Sequence, residues 1–316
     1  MPTVLITGAG GFVGRAVVRV MLHHGLHVIA VDQAFDADLA VTWAGLPLTP
    51  VMLQPGDPLP DLAADYVIHA AAVTADPREN GDTPESNFRA NLDPLLDVLA
   101  WSAAREVKRV IFVSSSAVYS ATPPGLVAED SPQTPHGLYA VAKTAGEQLI
   151  ATLRTSFDRD VLAVRLSNVY GGGERVRATR PRLSLVGRYL VDALRTGMIT
   201  VDDPDIAREW TLTDDIGAAI YALVSAPTLN HALYHVASGE LLTSREVATV
   251  IARHLPGIAV AVRPDPAAAL TRLGALGSTR LSHDTGFQNW TPFEIGLRQV
   301  LQSMRGTLNS SQTRLS

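Results

Sequence analysis

Short runs of apolar residues alternate with helical patterns through the first half of the chain, and this alternation restricts the fold more than any other feature. The runs predict strands at 3–7, 28–31, 51–53, 66–69, 110–114 and 161–166, and helical spacing predicts helices at 12–24, 87–105 and 138–153. Strands that are apolar throughout are typical of a parallel sheet with helices on both faces. We therefore expect an α/β fold with a doubly wound parallel sheet and right-handed crossovers.

A glycine-rich turn separates the first predicted strand from the first predicted helix. Gly8, Gly11 and Gly14 are three residues apart, with Phe12 and Val13 at the start of the helix. A turn without side chains exposes backbone N–H groups and a helix N-terminus to a pyrophosphate. The glycines alone are a weak signal, but their place between strand and helix predicts a Rossmann-like dinucleotide site.

Acidic residues follow the second and third predicted strands. Asp32 comes 18 residues after Gly14. A carboxylate there accepts both ribose hydroxyls and repels the additional phosphate of NADP, so we expect NAD. The structural alternative is an aspartate that caps a turn. Asp57, after Pro55-Gly56, is open between a contact with adenine and an ordinary turn aspartate.

After Gly171 the pattern changes. Three glycines at 171–173 precede a stretch rich in arginine, and shorter elements follow: a helix at 214–224, a strand at 233–236 and a helix at 244–254 with Ser244 as N-cap. We expect 1–171 plus roughly 205–238 to form the dinucleotide-binding domain. Roughly 172–204 plus 239–304 would form a smaller C-terminal substrate-binding lobe, and 305–316 a loose polar tail.

Composition excludes several classes of function. The chain of 316 residues contains no cysteine, which rules out disulfides, thiolate zinc sites and a cysteine nucleophile. The net charge of −5 gives no reason to expect nucleic acid or an anionic membrane as partner. The histidines lack metal-ligand spacing, and no apolar run resembles a signal peptide or a membrane span, so we expect no metal and a cytoplasmic protein.

A tyrosine and a lysine stand one helical turn apart on the predicted helix 138–153. The chain has 24 arginines and two lysines, and Lys143 follows Tyr139 by four residues. A lysine ammonium is a compact charge that can sit beside a phenol and lower its pKa. The alternative is a surface helix on which the two side chains have no chemical role.

Further motifs occur in a fixed order along nearly the whole chain. They are the glycine turn at 7–14, His-Ala-Ala-Ala at 69–72, Asn91, Ser-Ser-Ser-Ala-Val-Tyr at 114–119, the Tyr139/Lys143 pair, Arg-Leu-Ser-Asn-Val-Tyr-Gly at 165–171, and Arg-Glu-Trp-Thr at 208–211 before Asp214-Asp215. With these motifs the chain resembles the extended short-chain dehydrogenase/reductases of the NAD-dependent epimerase/dehydratase type.

The resemblance implies roles for particular residues. Tyr139 would take a hydroxyl proton while hydride leaves the same carbon for nicotinamide, and Lys143 would stabilise the phenolate and bind the nicotinamide ribose. Ser115 would hydrogen-bond the reacting oxygen. The remaining implied contacts are with cofactor for Ala70, Ala71 and Asn91, and with substrate for Ser116, Asn168 and Arg208.

Departures from the family pattern narrow the reaction. Sugar dehydratases carry Asp-Glu, and nucleotide-sugar decarboxylases a Glu, where this chain has Ser116 and Ala117. The remaining reactions are therefore oxidation or reduction alone, or oxidation followed by reduction on the other face of the substrate, which is epimerisation. Four arginines can clamp a diphosphate or a substrate carboxylate, or can belong to a solvated loop. They are Arg175, Arg177, Arg180 and Arg182, of which Arg177 and Arg180 are expected to bind substrate.

These features together favour a nucleotide-sugar epimerase. The alternatives are an NAD-dependent dehydrogenase of a free sugar, sugar acid or related hydroxy compound, and a non-catalytic dinucleotide sensor, against which the Tyr139/Lys143 pair argues. The resemblance also implies a homodimer through the helices near 87–105 and 138–153.

Overall fold

The computed structural model describes residues 1–119, 125–263 and 274–313. The strands are β1 (Thr3–Thr7), β2 (His27–Asp32), β3 (Leu48–Met52), β4 (Tyr66–His69), β5 (Arg109–Ser115), β6 (Leu126–Val127), β7 (Val161–Leu166), β8 (Asn168–Tyr170), β9 (Met198–Val201), β10 (Ala207–Leu212), β11 (Leu233–Val236), β12 (Leu241–Thr243), β13 (Ala259–Val262) and β14 (Ala275–Leu276). The helices are α1 (Phe12–His23), α2 (Ala37–Thr42), α3 (Pro77–Asn80), α4 (Pro84–Ala104), α5 (Leu138–Phe157), α6 (Leu185–Thr196), α7 (Thr213–Ser225), α8 (Ser244–His254), α9 (Thr279–Thr285) and α10 (Phe293–Thr313).

The main sheet has seven strands in the order β11-β7-β5-β4-β1-β2-β3. All of its pairings are parallel, with Thr7 beside Val31 on β2 and beside His69 on β4. The order reverses between β1 and β4, so the carboxyl ends of these strands open into the crevice where doubly wound sheets bind ligands. The expected α/β class with a doubly wound parallel sheet is confirmed.

Helices cover both faces of this sheet. On one face α1 packs against α7, and their core includes Val17, Met21 and Ile220. On the other face α4 packs against α5, around Leu95 and Phe112. This double burial explains why the strands are apolar at almost every position.

A second core lies beyond the main sheet. It gathers residues of β8, β10, α6, α8 and α10 around the aromatic side chains of Tyr170, Trp210 and Phe293. Here β8, β10 and β12 form a three-stranded sheet, and β9 pairs with β13. The chain then returns to the main sheet, where β11 joins β7. The division into two lobes stays a prediction, and the backbone of α10 is helical to Thr313, within the predicted tail.

The start of α8 differs from the expectation by one residue. Thr243, not Ser244, is the N-cap: its hydroxyl accepts from the Glu246 backbone N–H, and the Glu246 carboxylate accepts from the Thr243 N–H. This reciprocal capping box satisfies two helix-end donors, which a cap one residue later would leave unpaired. Within the described part of the chain, no helix is both long and apolar enough to cross a bilayer.

Candidate active site

A cavity of about 1220 Å³ opens at the carboxyl edge of the main sheet and extends toward the second core. Its walls include the glycine turn, the ends of β1, β2 and β5, the start of α5 and the arginine-rich segment after β8. It brings together most of the residues that the sequence singles out. These are Gly8, Gly11, Phe12, Val13, Gly14, Asp32, Asp57, Ala70, Ala71, Ser115, Tyr139, Lys143, Asn168, Arg177, Arg180 and Arg208.

The glycine turn is packed too closely for side chains. Gly8 has φ +69°, and a Cβ there would stand 2.6 Å from the Ala71 nitrogen. A Cβ on Gly14 would overlap the Gly8 carbonyl oxygen. The N-cap of α1 is Gly11, with no capping side chain and no acidic residue in the first turn. The first N–H groups of α1 are therefore available to an anion, which fits the pyrophosphate of a dinucleotide.

Asp32 is fixed at the end of β2 by backbone donors. Its carboxylate accepts from the N–H of Gly10 at 2.9 Å and of Gln33 at 2.7 Å, which holds it beside the glycine turn. Asp57 accepts from the Gln54 N–H at 2.7 Å, so it closes a turn while also lining the cavity. Asp32 and Asp57 thus both bind backbone N–H groups of a turn, as the structural alternative predicts. Both also line the cavity.

Two of the expected contact residues do not line this cavity. Asn91 lies behind the loop after β4, where its side chain accepts from the Val73 N–H and donates to the Val73 carbonyl. It therefore supports the loop that carries Ala70 and Ala71 instead of facing a ligand. Ser116 begins a short 3₁₀ turn, capped by the Ser115 hydroxyl, and lines a separate cavity of about 10 Å³ with Glu209.

Ser115 and Tyr139 both line the main cavity, and the Ser115 hydroxyl is near enough to the phenol to affect its pKa. Burial raises the pKa of the Tyr139 phenol, while the Ser115 hydroxyl and the charge of Arg180 act in the opposite direction. A phenol in these surroundings is suited to exchange a proton with a bound hydroxyl.

Lys143 is only 2% exposed. Its Nζ donates to the Val113 carbonyl at 2.8 Å and lies 4.6 Å from the centre of the Phe112 ring and 5.7 Å from that of Tyr139. Burial lowers the pKa of Lys143 to about 7, against the opposing charge of Glu147. The lysine is thus part of the interior and is not a surface residue.

Glu147 is a residue that the sequence reasoning missed. It accepts from Arg165 Nε at 2.9 Å and Nη2 at 2.6 Å, and from the Ser114 hydroxyl at 2.5 Å. The sequence does contain a pattern that points to Glu147. Tyr139, Lys143 and Glu147 are spaced four residues apart and so share one face of α5.

The arginine-rich segment 173–183 forms what we call the arginine hairpin. Arg177 and Arg180 exchange backbone hydrogen bonds of 3.0 and 2.9 Å around a two-residue turn. The Arg177 guanidinium donates to Asp36 at 2.8 Å, and that of Arg180 donates to Glu174 at 2.5 Å. Sequence reasoning did not find Asp36, which also accepts from Arg15 at 2.6 Å.

The other end of the cavity is lined by Arg188, Arg208 and Trp210. Arg208 forms an ion pair with Asp203 and donates to the Ser244 hydroxyl at 2.8 Å. This guanidinium is therefore oriented by neighbours at the end of the cavity formed by the second core.

Comparison with known proteins identifies the class to which this site belongs. The model of the NAD dependent epimerase/dehydratase family matches residues 4–237, so the chain belongs to this family. It is an NAD-dependent enzyme of the extended short-chain dehydrogenase/reductase type, which confirms the family, the enzyme and the cofactor expected from the sequence.

Particular relatives cover most of the chain. It is similar to the UDP-glucose 4-epimerase of Mycolicibacterium smegmatis, at 27% identity over 98% of this chain and 99% of the relative. It is also similar to the dTDP-glucose 4,6-dehydratase of Streptomyces griseus, at 30% identity over 77% of this chain and 75% of the relative. Among solved structures, the UDP-N-acetylglucosamine 4-epimerase from Methanobrevibacter ruminantium M1, with UDP-N-acetylmuramic acid, matches with a TM-score of 0.82 and 22% identity over 97% of this chain and 99% of that one.

The residues present fit the dinucleotide. The uncapped start of α1 can bind the pyrophosphate, and Asp32 at the end of β2 can accept from the adenosine ribose. The relatives include both epimerases and dehydratases. Similarity to these relatives therefore does not distinguish epimerisation from dehydration by this chain.

Proposed function

We propose that the protein is an NAD-dependent nucleotide-sugar epimerase. The observation that carries the proposal is the size and lining of the cavity. Sites for one drug-sized ligand usually measure about 300–1,000 Å³, and this cavity of about 1220 Å³ has dinucleotide-binding features at one end and Arg208 with Trp210 at the other. It has room for a dinucleotide and a second, anionic ligand, with Ser115 and Tyr139 on the shared wall.

The residues beside Ser115 argue against elimination of water. Removing water from a sugar needs an additional acid and base, and the next two residues are Ser116 and Ala117. Ser116 faces the small separate cavity, and Ala117 has no ionisable group. The similarity to dehydratases therefore reflects membership of the same family. It does not support dehydration as the reaction of this chain.

The proposed chemistry uses proton transfer at one carbinol. NAD, when bound, accepts a hydride from the substrate and returns it. Tyr139 would take the proton of the same hydroxyl, Ser115 would hold its oxygen, and the positive charge of Lys143 would favour the phenolate. When the ketone presents its other face, the hydride returns to that face, Tyr139 returns the proton to the oxygen, and the carbon is inverted. Lys143 and the start of α1 would hold the cofactor.

One panel of substrates tests this function. The protein is incubated with NAD and UDP-, GDP- and dTDP-sugars or free sugar acids, while nicotinamide absorbance and product stereochemistry are followed. An inverted nucleotide sugar without net NADH supports the proposal. Net NADH from a free sugar, sugar acid or hydroxy compound would identify a dehydrogenase instead, and NAD binding with no product from any compound would favour a sensor.

We also propose that two copies associate through α4 and α5. Leu96 on α4, and Val141 and Phe157 on α5, are large apolar side chains left exposed on these adjacent helices. Paired helices from two chains would cover them as a four-helix bundle. The variant Leu96→Glu should shift the mass measured by light scattering from dimer to monomer, whereas Val41→Glu on α2 should not. A monomeric wild type would refute the dimer.

The two-lobe division and the cytoplasmic location also stay predictions.

A further inference from the structure

The arginine hairpin crosses the cavity and contacts both of its rims. On one side, Arg177 meets Asp36, which lies just beyond the ribose-binding position of Asp32. On the other side, the Thr179 carbonyl at the tip accepts from the N–H groups of Thr74 at 2.8 Å and Ala75 at 3.3 Å, in the loop after β4. The glycine turn lies between these two points of attachment, since β1 stands between β2 and β4.

At the Asp36 attachment, one carboxylate forms ion pairs with three arginines. Arg15 of α1 and Arg177 of the hairpin both donate to Asp36 Oδ2, and Arg175 lies 3.5 Å from the same atom and 3.0 Å from Asp38. The side chains of Arg177 and Asp36 are 23% and 25% exposed. Solvent can therefore reach this pair, and added salt will weaken it.

Arg180 lies on the side of the hairpin that faces the start of α1. Its guanidinium lies 5.0 Å from the centre of the Phe12 ring, at the first residue of α1, and one Nη donates to Glu174. Its Nε is buried and has no hydrogen-bond partner among the described residues. An unpaired buried donor is costly, and a guanidinium is suited to phosphate. The adjacent N-terminus of α1 is the anion site described above, so a phosphate there would supply the acceptor.

We propose that the arginine hairpin is a clasp over the pyrophosphate of bound NAD. Arg180 Nε donates to a phosphate oxygen, while the Arg177–Asp36 and Thr179–Thr74 contacts hold the clasp closed. In this proposal Arg177 and Arg180 act on the cofactor, whereas the sequence predicts that they bind substrate. The clasp retains NAD between turnovers, which an epimerase needs and a dehydrogenase that exchanges its cofactor does not. It rests on NAD as cofactor and is independent of which sugar is bound.

The rate of NAD release tests the clasp without any turnover. Protein loaded with labelled NAD is diluted into excess unlabelled NAD, and retained label is followed by rapid filtration. Arg180→Gln should release NAD about 10- to 100-fold faster, the effect of one charge-assisted hydrogen bond. Arg177→Gln should release it roughly 3- to 10-fold faster, because a partly exposed ion pair contributes less.

Arg245→Gln is the matched control. Arg245 belongs to α8, pairs with Asp205 at 3.5 Å and does not line the cavity. Its release rate should equal that of the wild type. Sodium chloride should accelerate release from the wild type more than from Arg177→Gln, since the variant lacks the pair that salt weakens. Equal release rates for wild type, Arg180→Gln and Arg177→Gln would overturn the proposal.

A removable crosslink gives a second test that does not depend on the stability of those variants. The chain has no cysteine, so Thr74→Cys with Thr179→Cys introduces the only two thiols. Oxidation should lock the hairpin to the opposite rim, trapping NAD already bound, and a reductant should restore exchange. Exchange at the same rate before and after complete oxidation would refute the clasp. An inactive substrate panel would refute the epimerase and leave this result unchanged.

Discussion

The two charged regions around the cavity are built in opposite ways. About two turns along α5 from Tyr139, the ion pair of Arg165 and Glu147 is 2% and 5% exposed and belongs to β7 and α5. In the arginine hairpin, Arg177 and Asp36 keep about a quarter of their surface exposed and belong to loops. The first region forms only when the core forms, whereas the second can open while the fold persists. We therefore expect the rigid region to support the proposed chemistry and the separable region to control cofactor exchange.

Removing the Tyr139 hydroxyl should have the largest effect, and it should fall on chemistry alone. Tyr139→Phe deletes the proton acceptor, so we expect kcat to fall by about 10²- to 10⁴-fold, with NAD release unchanged. Steady-state kinetics and the release assay measure the two quantities. Tyr221→Phe, on α7 against His24 and outside the cavity, is the control. An active Tyr139→Phe would end the proposed mechanism.

The two ion-paired regions should differ in their contribution to stability. Glu147→Gln leaves the Arg165 charge buried without its partner and should lower the free energy of unfolding by about 3–5 kcal/mol. Arg177→Gln, in the hairpin region, should lower it by no more than about 1 kcal/mol, because its ion pair with Asp36 is partly exposed. Urea titrations measure both. Similar losses for the two variants would contradict the distinction between a rigid and a separable region.

Asp32 should set the choice of cofactor at the hairpin end of the cavity. Asp32→Ser removes the charge that opposes a 2′-phosphate, and the affinity for NADP relative to NAD should rise about 10- to 100-fold. Asp57→Asn, which can still accept from the Gln54 N–H, should leave the ratio unchanged. Calorimetric titration with each dinucleotide gives the ratio. A change of preference in Asp57→Asn would instead support the adenine contact.

The buried Lys143 should make stability depend on pH. Burial lowers its pKa in the folded protein to about 7, from the ordinary lysine value of 10.5. Between these values the unfolded chain binds the additional proton, so the contribution of Lys143 to stability rises with pH across this window. In NAD-free protein, Lys143→Met should be more stable than wild type at pH 7, and this advantage should shrink toward pH 10. Urea midpoints at several pH values would show it, and an advantage that grows with pH would contradict it.

The sequence predicts the strands of the main sheet and the position of the Tyr139/Lys143 pair well because these signals are local. The runs at 3–7, 66–69, 161–166 and 233–236 match β1, β4, β7 and β11 to the residue, since an apolar run bounded by polar residues marks a buried strand on its own. The Tyr139/Lys143 pair needs only one helical turn to bring its members together. Glu147 continues that spacing and was available to the same reasoning.

The hairpin was beyond this reasoning because its partners are distant in the chain. Arg177 and Asp36 are 141 residues apart, and nothing in either neighbourhood specifies the other. Asn91 shows the same limit, because its contact with Val73 joins α4 to a loop whose path no local pattern fixes. Arginine-rich composition predicted an anion site there but not which ligand it would face.

The position of β11 has a consequence for how the protein is made. The main sheet is completed at one edge by Leu233–Val236, after the chain has left β7 and built much of the second core. During synthesis, β7 therefore exposes an unpaired apolar edge until a distant segment emerges from the ribosome. Such late, long-range pairing slows folding and leaves nascent chains open to aggregation. Yield in the cell should depend on chaperones and on translation speed between these two strands.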